Sequence, residues 1–454
     1  MGDYKLKDTF NIRLEGRSED YIINAPFPKE VAIKPIDFRG FVSKLEVDEG
    51  DRVKVGTPLV YHKDNPDIKL TSPASGTVKE IRRGERRVIE EIVIETDGKQ
   101  TTRKFTIPKK NIKEMNSGEI IQVLKKSGLF ASLIQRPFGK VADPEVLPRD
   151  IFISAMDTAP LAPRMSLIMD CNDPSYQTGL HVLNRLTTGS VHVSINGRFP
   201  DVCPGILNAD SCVIHRFWGR HPAGNVGVQI HHIAPIKNRN DIVWTLSVQD
   251  VIFIGRLFLL GKIDPEIIVA VAGTSVKQRC YYRTILGARI DTFVGEVDGN
   301  DEDIRYISGN VLTGHKVKRE GYVGFFDNIV MVIPEPKGIQ FLGWARLGLN
   351  KRSFSRTYIS SFFNYGGRFR EEAAANGAVR PFIATGMHED VLPMDIYPVF
   401  LMKSIIAEDI EEMEKLGIYE LIEEDLALVE YVDPSKQEFQ EMLRQGLDLI
   451  EKEG

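Results

Sequence analysis

The sequence predicts a multi-domain α/β protein in which a small all-β module precedes an α/β domain, a second β-rich segment and a helical end. Three observations carry that expectation. A length of 454 residues corresponds to about three domains of ordinary size. Residues 26–98 hold short alternating apolar runs broken by turn residues, with no helical period. Residues 109–260 alternate helical and strand patterns, which implies a parallel sheet with helices on its faces.

Composition narrows the classes further. Residues are 42% hydrophobic and 27% charged, the balance of a chain that buries a core rather than of a disordered one. A formal net charge of -5 gives no overall field drawing the chain onto nucleic acid or anionic lipid, so any such contact needs a local patch. The opening residues Met1 to Asp8 have no apolar core and do not read as a signal peptide. The longest apolar run, Val251 to Gly261, is interrupted by Arg256 and falls short of the roughly 20 residues that span a bilayer. Cys171, Cys203, Cys212 and Cys280 have no metal or iron–sulfur spacing and read as reduced cytosolic thiols. Leu6 departs from the Ser or Thr that a myristoylated Gly2 would need.

The β-module is expected over 26–98. Runs such as Lys44 to Val47, Pro58 to Tyr61, Thr77 to Ile81 and Ile92 to Glu95 are separated by Glu49-Gly50-Asp51, Asp64-Asn65-Pro66 and Arg83-Gly84-Glu85. In the α/β domain, taken as 109–260, Asn116-Ser117 starts a helix bearing Ile120, Ile121 and Leu124, and Gly128 ends it. Ile151 to Met156 reads as a buried strand. Asp173 caps the next helix with Pro174 in its first position, Leu180, Leu183 and Leu186 line one face, and Val191 to Ile195 returns as a strand. Glu266 to Gly273 opens the second β-rich region, 262–345. Over 375–454 one helix should carry Ile405, Ile406, Ile410, Met413 and Leu416, and another Phe439, Leu443, Leu447 and Ile450.

Two stretches of the β-module, Val47 to Val60 and Thr71 to Ile81, resemble biotinyl and lipoyl carrier domains. Gly50, Gly56 and Gly76 would permit their tight turns. A working carrier presents a modifiable lysine between these halves; the candidates are Lys63 and Lys69. Neither sits in the carrier context, so the module reads as a retired carrier fold, with a swinging arm as the alternative. A dinucleotide site in the α/β domain needs glycines after its first strand. That strand runs instead into Asp157-Thr-Ala-Pro-Leu-Ala-Pro163, which offers two prolines and no glycine.

His215, His221, His231 and His232 cluster in sequence, but adjacent histidines on a strand would face opposite ways and disfavour a metal. The loop Trp218-Gly-Arg-His-Pro-Ala-Gly224 presents an aromatic ring, a cation and an imidazole together. It suits a polar ring ligand such as a quinone, but loop statistics alone favour a rigid structural turn. Arg82, Arg83, Arg86 and Arg87 read as a solvated hairpin tip. Lys351, Arg352, Arg356, Arg368 and Arg370 interleave with aromatics, a mixture that fits a protein partner or lipid headgroups. Without net positive charge or a known nucleic-acid signature, no nucleic-acid partner is expected.

Longer motifs identify a family. Thr71 to Arg87 (TSPASGTVKEIRRGERR), Arg136-Pro-Phe138, Ala155 to Thr158, His221 to Gly224, Val243-Trp-Thr245, Gln249 to Ile252 and Gly255 to Phe258 occur in order. Leu392 to Ile396, Glu423 to Leu428 and Ile450 to Gly454 follow. From about residue 20 to its end the chain resembles the A subunit of the bacterial Na+-translocating NADH:quinone (ubiquinone) reductases. The resemblance implies a biotinyl/lipoyl-like barrel-sandwich, a Rossmann-like domain, a β-grasp (SLBB-like) domain and a helical C-terminus. It implies a place among six subunits that use NADH to reduce ubiquinone and export Na+. The A subunit would be peripheral, on the cytoplasmic face of the inner membrane, and has been implicated in quinone binding. Related subunits of complex I and the Rnf complex hold a flavin through a glycine-rich loop or clusters through cysteines. This chain has neither the loop nor a cysteine at Ala427 to Lys436, so flavins and NADH belong to other subunits and no covalent cofactor or metal is expected here. No catalytic residue is assigned. The implied quinone contacts are Trp218, Arg220 and His221, with Phe138 and Asp157 as further candidates. A purely structural scaffold and a carrier protein are the alternatives.

Overall fold

The computed structural model describes residues 2–170, 172–198, 203–336, 354, 358–360, 368–369 and 378–453. Most of the basic–aromatic stretch 351–370 lies outside these, as do Cys171, the end of the 262–345 segment and residues 375–377.

The N-terminal module is a sandwich of two sheets. One runs Glu30–Ile33, Ile89–Thr96, Gly76–Arg83, Arg52–Val53; the other runs Ser43–Leu45, Pro58–His62, Lys69–Thr71. Alternation puts Val31, Ile33, Leu59, Leu70, Val78, Ile92 and Ile94 into the space between them. Gly50 and Gly56 have positive φ, as turn glycines should. Gly76 does not sit in a turn. It begins a strand, and a Cβ there would lie 1.9 Å from the carbonyl oxygen of Glu95, so the glycine allows close strand approach. Arg86 and Arg87 occupy the tip between Gly76–Arg83 and Ile89–Thr96, and Arg82 pairs with Glu80 and Glu91.

The α/β domain carries a seven-stranded sheet. Its order is Gly2–Lys5, Val213–Trp218, Val191–Asn196, Ile151–Ser154, Val243–Ser247, Ile134–Arg136, Lys140–Val141. The first five strands are parallel and the last two antiparallel. Strand order reverses between Ile151–Ser154 and Val243–Ser247, where a doubly wound sheet opens a crevice at its C-terminal edge. Asn116 caps Ser117–Ser127 in a reciprocal box with Glu119, and left-handed Gly128 ends it. The next long helix is Asp173–Leu183. Its N-cap is Asn172, so Asp173 and Pro174 sit one position further in than their types suggest. Leu186 lies beyond its end but is still buried.

A third sheet runs His315–Val317, Ile304–Ser308, Ile329–Pro334, Glu266–Ala272, Tyr281–Ile285, Ile22–Asn24. Its centre explains the unbroken apolar run from Ile267 to Ala272 within the strand Glu266–Ala272. Val269, Val271, Val330 and Val332 pack into the core shared with the first two domains. Ile268, Ala270, Ala272 and Met331 pack into the core of the C-terminal helices. A strand buried on both faces has no polar face to alternate.

The C-terminal region contains Pro398–Ile406, Ile410–Lys415, Glu423–Val432 and Phe439–Glu453. The single helix expected across Ile405 to Leu416 is two, because Glu408 takes a left-handed conformation with φ 54° and Asp409 caps a new helix. Phe439, Leu443, Leu447 and Ile450 form one buried stripe along the last helix. Among the described residues no helix is long and apolar enough to cross a membrane.

Candidate functional site

The loop Gly219 to Gly224 follows the strand Val213–Trp218 and folds back onto the end of Ile151–Ser154. Three side chains pin it. Thr158 Oγ1 accepts the amide proton of Gly224 at 2.8 Å, and Ser154 Oγ lies 2.8 Å from Gly224 O. Buried Gln229, on the helix Val226–Ile233, donates through Nε2 to Ser154 Oγ at 2.9 Å. From outside, the N-terminal segment closes the loop, with the Phe10 amide donating to His221 O at 2.9 Å and the Leu6 amide to Trp218 O at 2.8 Å. The His221–Pro222 and Arg136–Pro137 bonds are cis.

A cleft of about 840 Å³ opens beside this loop, at the C-terminal ends of the parallel strands. Asp157, Thr158, Asn196, Arg220 and His221 line it from the sheet, and the segment from Asn11 to Asp20 lines it from the opposite side. Its size falls in the range of small-molecule sites, roughly 300–1,000 Å³.

Three of the five residues singled out in the sequence meet here: Asp157, Arg220 and His221. Arg220 is exposed, and Asp157 is half-buried with Oδ1 accepting from the Ala159 amide at 2.8 Å. Burial pushes the Asp157 carboxyl above the usual carboxylate range. Trp218 and Phe138 do not line the cleft. The Trp218 ring packs against the backbone of Gly197, with the Arg216 guanidinium 5.7 Å from its centroid. Phe138 is buried edge-on to Tyr419 at 6.0 Å, and its carbonyl accepts from Arg444 Nη1 at 2.8 Å, which places it at the joint with the C-terminal helices.

His221 is the chemically distinctive member. Its side chain is buried, which pushes its pKa down to about 4 and keeps the ring neutral at physiological pH. Nδ1 lies 3.3 Å from Thr158 Oγ1. The tautomer sets the direction of this contact: where the Thr158 hydroxyl donates to Nδ1, the imidazole proton sits on Nε2. Nε2 has no hydrogen-bond partner among the described residues.

The other histidines are accounted for by packing. His231 and His232 lie on the helix Val226–Ile233, not on a strand, because the run continues the helix that Asn225 precedes. His231 Nδ1 meets Glu420 Oε2 at 2.8 Å and His232 Nε2 meets Pro393 O at 2.9 Å, tying the helix to the C-terminal region. His215 meets His192 at 2.9 Å inside the sheet. Among the described residues no three His, Cys, Asp or Glu side chains converge as a metal site requires. Sequence reading passed over Thr158, Ser154 and Gln229, which hold the loop, and Asn196. The available signal was position: Ser154, Thr158 and Asn196 all lie at or just past C-terminal ends of parallel strands.

The sequence matches the NqrA N-terminal barrel-sandwich hybrid domain over residues 4–97 and the NqrA second alpha/beta domain over residues 115–263. It matches the NQRA C-terminal domain, of SLBB type, over residues 268–319. The NqrA protein of Pasteurella multocida, from its Na(+)-translocating NADH-quinone reductase, is 38% identical over 454 residues, covering 99% of both chains. The chain belongs to the NqrA family. The counterpart in Neisseria gonorrhoeae is 37% identical over 452 residues, covering 99% of this chain and 100% of that protein. Within the NqrA frame, the sheet side of the cleft belongs to the second domain, and the facing segment Asn11 to Asp20 falls within the match to the N-terminal domain.

Proposed function

We propose that the chain is the peripheral NqrA component of a six-subunit Na+-translocating NADH:ubiquinone reductase at the cytoplasmic face of the bacterial inner membrane. In this reading the cleft receives the quinone head group. One observation carries it: buried, neutral His221 lines a cleft of suitable size, and its Nε2 has no hydrogen-bond partner among the described residues, so that as the protonated nitrogen it would donate to a quinone carbonyl. A quinone carbonyl is an acceptor and brings no charge into the buried end of the cleft. On the same wall, burial holds the Asp157 carboxyl above the usual carboxylate range.

The chain contributes binding and assembly, and no activity of its own. NADH, flavins and hydride acceptance belong to other subunits of the complex. The finer kinships of the domains, a biotinyl/lipoyl-like sandwich, a Rossmann-like α/β domain and a β-grasp sheet, are part of the same reading. They are supported by the two-sheet sandwich, the strand order with its reversal, and the mixed six-stranded sheet.

Titration of the purified chain with a short-chain ubiquinone, followed by fluorescence or calorimetry, tests the site. Saturable binding in the low micromolar range is expected, and His221→Ala should weaken it about tenfold, the cost of one buried hydrogen bond. If quinone affinity and inhibitor sensitivity of the assembled complex are unchanged by His221→Ala, the chain is a scaffold without a ligand.

A further inference from the structure

We propose that the rim of the same cleft binds a phosphate- or pyrophosphate-bearing ligand through arginine side chains. The inference does not depend on the quinone reading and rests chiefly on the arginines of the rim rather than on His221. Six lining residues are arginines and none is a lysine, in a chain whose formal net charge is -5. Arg164 is paired with Asp20. Arg17, Arg198, Arg220 and Arg368 are exposed, line the cleft, and have guanidinium groups without a hydrogen bond or ion pair among the described residues. Against them stand Glu19 and Asp157.

Four cations facing two carboxylates leave an unbalanced positive field inside a concave site. Such a field concentrates anions, and more so than the same charges on a convex surface. The choice of arginine narrows the anion. A guanidinium fork matches the paired oxygens of phosphate, and several forks around one pocket suit a group carrying two or more charges. The position agrees, because open α/β sheets bind ligands outside the C-terminal ends of their strands. The loop after Ser154 has no glycine to bring backbone amides to a phosphate, so here side chains do the holding. The phosphate could be carried by a free nucleotide or by a phospholipid headgroup, since both expose the same oxygens.

Calorimetric titration of the full chain with inorganic pyrophosphate tests the proposal. One saturable site is expected, weakened about tenfold by Arg198→Gln and again by Arg17→Gln, as for loss of a charge-assisted hydrogen bond. Arg87→Gln, at the distant hairpin tip, should leave the affinity unchanged. ADP binding more tightly than pyrophosphate assigns the site to a nucleotide. Sedimentation with phosphatidylglycerol vesicles that is abolished by Arg17→Gln/Arg198→Gln assigns it to a headgroup. No saturable pyrophosphate binding, or equal losses from Arg87→Gln and Arg198→Gln, overturns the proposal. All three side chains are exposed, so an unchanged thermal midpoint separates lost binding from lost folding.

Discussion

Arg136 and Asp425 meet at 2.7 Å with both side chains fully removed from solvent, joining the α/β sheet to the N-terminus of the helix Glu423–Val432. The same guanidinium reaches Glu424 Oε1 at 2.7 Å, and Asp425 Oδ2 accepts from the Ile422 amide at 3.0 Å. Removing one partner strands the other charge in a dry interior, which costs about 3–5 kcal/mol. Arg136→Met should therefore lower unfolding free energy by that amount. The double variant Arg136→Met/Asp425→Leu should recover much of the loss. Chemical denaturation of the four proteins in the cycle measures it, and a double variant as unstable as Arg136→Met would contradict the account.

Gly179 and Gly255 set the crossing of the helices Asp173–Leu183 and Val248–Leu260. A Cβ on Gly255 would lie 1.7 Å from Ser175 O, and one on Gly179 would lie 2.2 Å from Val251 O. Both obstacles are backbone, which cannot swing aside, so the helices must separate. Gly255→Ala should destabilise by about 1–3 kcal/mol despite raising helix propensity. A melting temperature unchanged by Gly255→Ala would show that the helices are free to move apart.

What the sequence made legible were features decided locally. The helix Ser117–Ser127 was readable because Asn116, Glu119 and Gly128 act within one turn of its ends. The stripe Phe439, Leu443, Leu447, Ile450 was readable because one helix face meets one core. Apolar spacing continued smoothly across Ile405 to Leu416, yet the backbone breaks at Glu408, since periodicity does not report a single φ. Gly2–Lys5 was invisible as a strand. Its short, largely polar run becomes one by pairing in parallel with His215 to Trp218, more than 200 positions away. The cleft was half legible: the Trp218 to Gly224 loop was visible as a cluster, whereas Arg17, Arg198 and Arg368 line one cleft only after folding.

The sandwich resembles a carrier, and its two candidate lysines have different surroundings. Lys69 lies on the strand Lys69–Thr71 and forms an ion pair with Glu46. Lys63 is exposed in the connection between Pro58–His62 and Lys69–Thr71. A scaffold use of the fold needs neither. Intact mass of the chain should equal its sequence mass of 51.1 kDa. Lys63→Arg should be silent, and Lys69→Met should cost under about 1 kcal/mol, the usual worth of a partly exposed pair. A discrete added mass on either lysine would reinstate the carrier reading.

Acid should test the environment of His221 directly. Burial lowers its pKa from 6.5 to about 4 in the folded chain. Between those values the unfolded chain holds the extra proton, so acid favours unfolding. The stability tied to the neutral ring is complete above about pH 6.5 and drains away as pH falls toward 4. At about 1.4 kcal/mol for each unit, the loss amounts to about 3 kcal/mol near pH 4. His221→Gln removes the titration while keeping a polar side chain. Between pH 7 and pH 4 the variant should lose about 3 kcal/mol less stability than the parent, measured by denaturant unfolding at each pH. Parallel curves for the two proteins would mean that His221 is protonated as readily folded as unfolded, and the neutral donor assigned to Nε2 would fall with it.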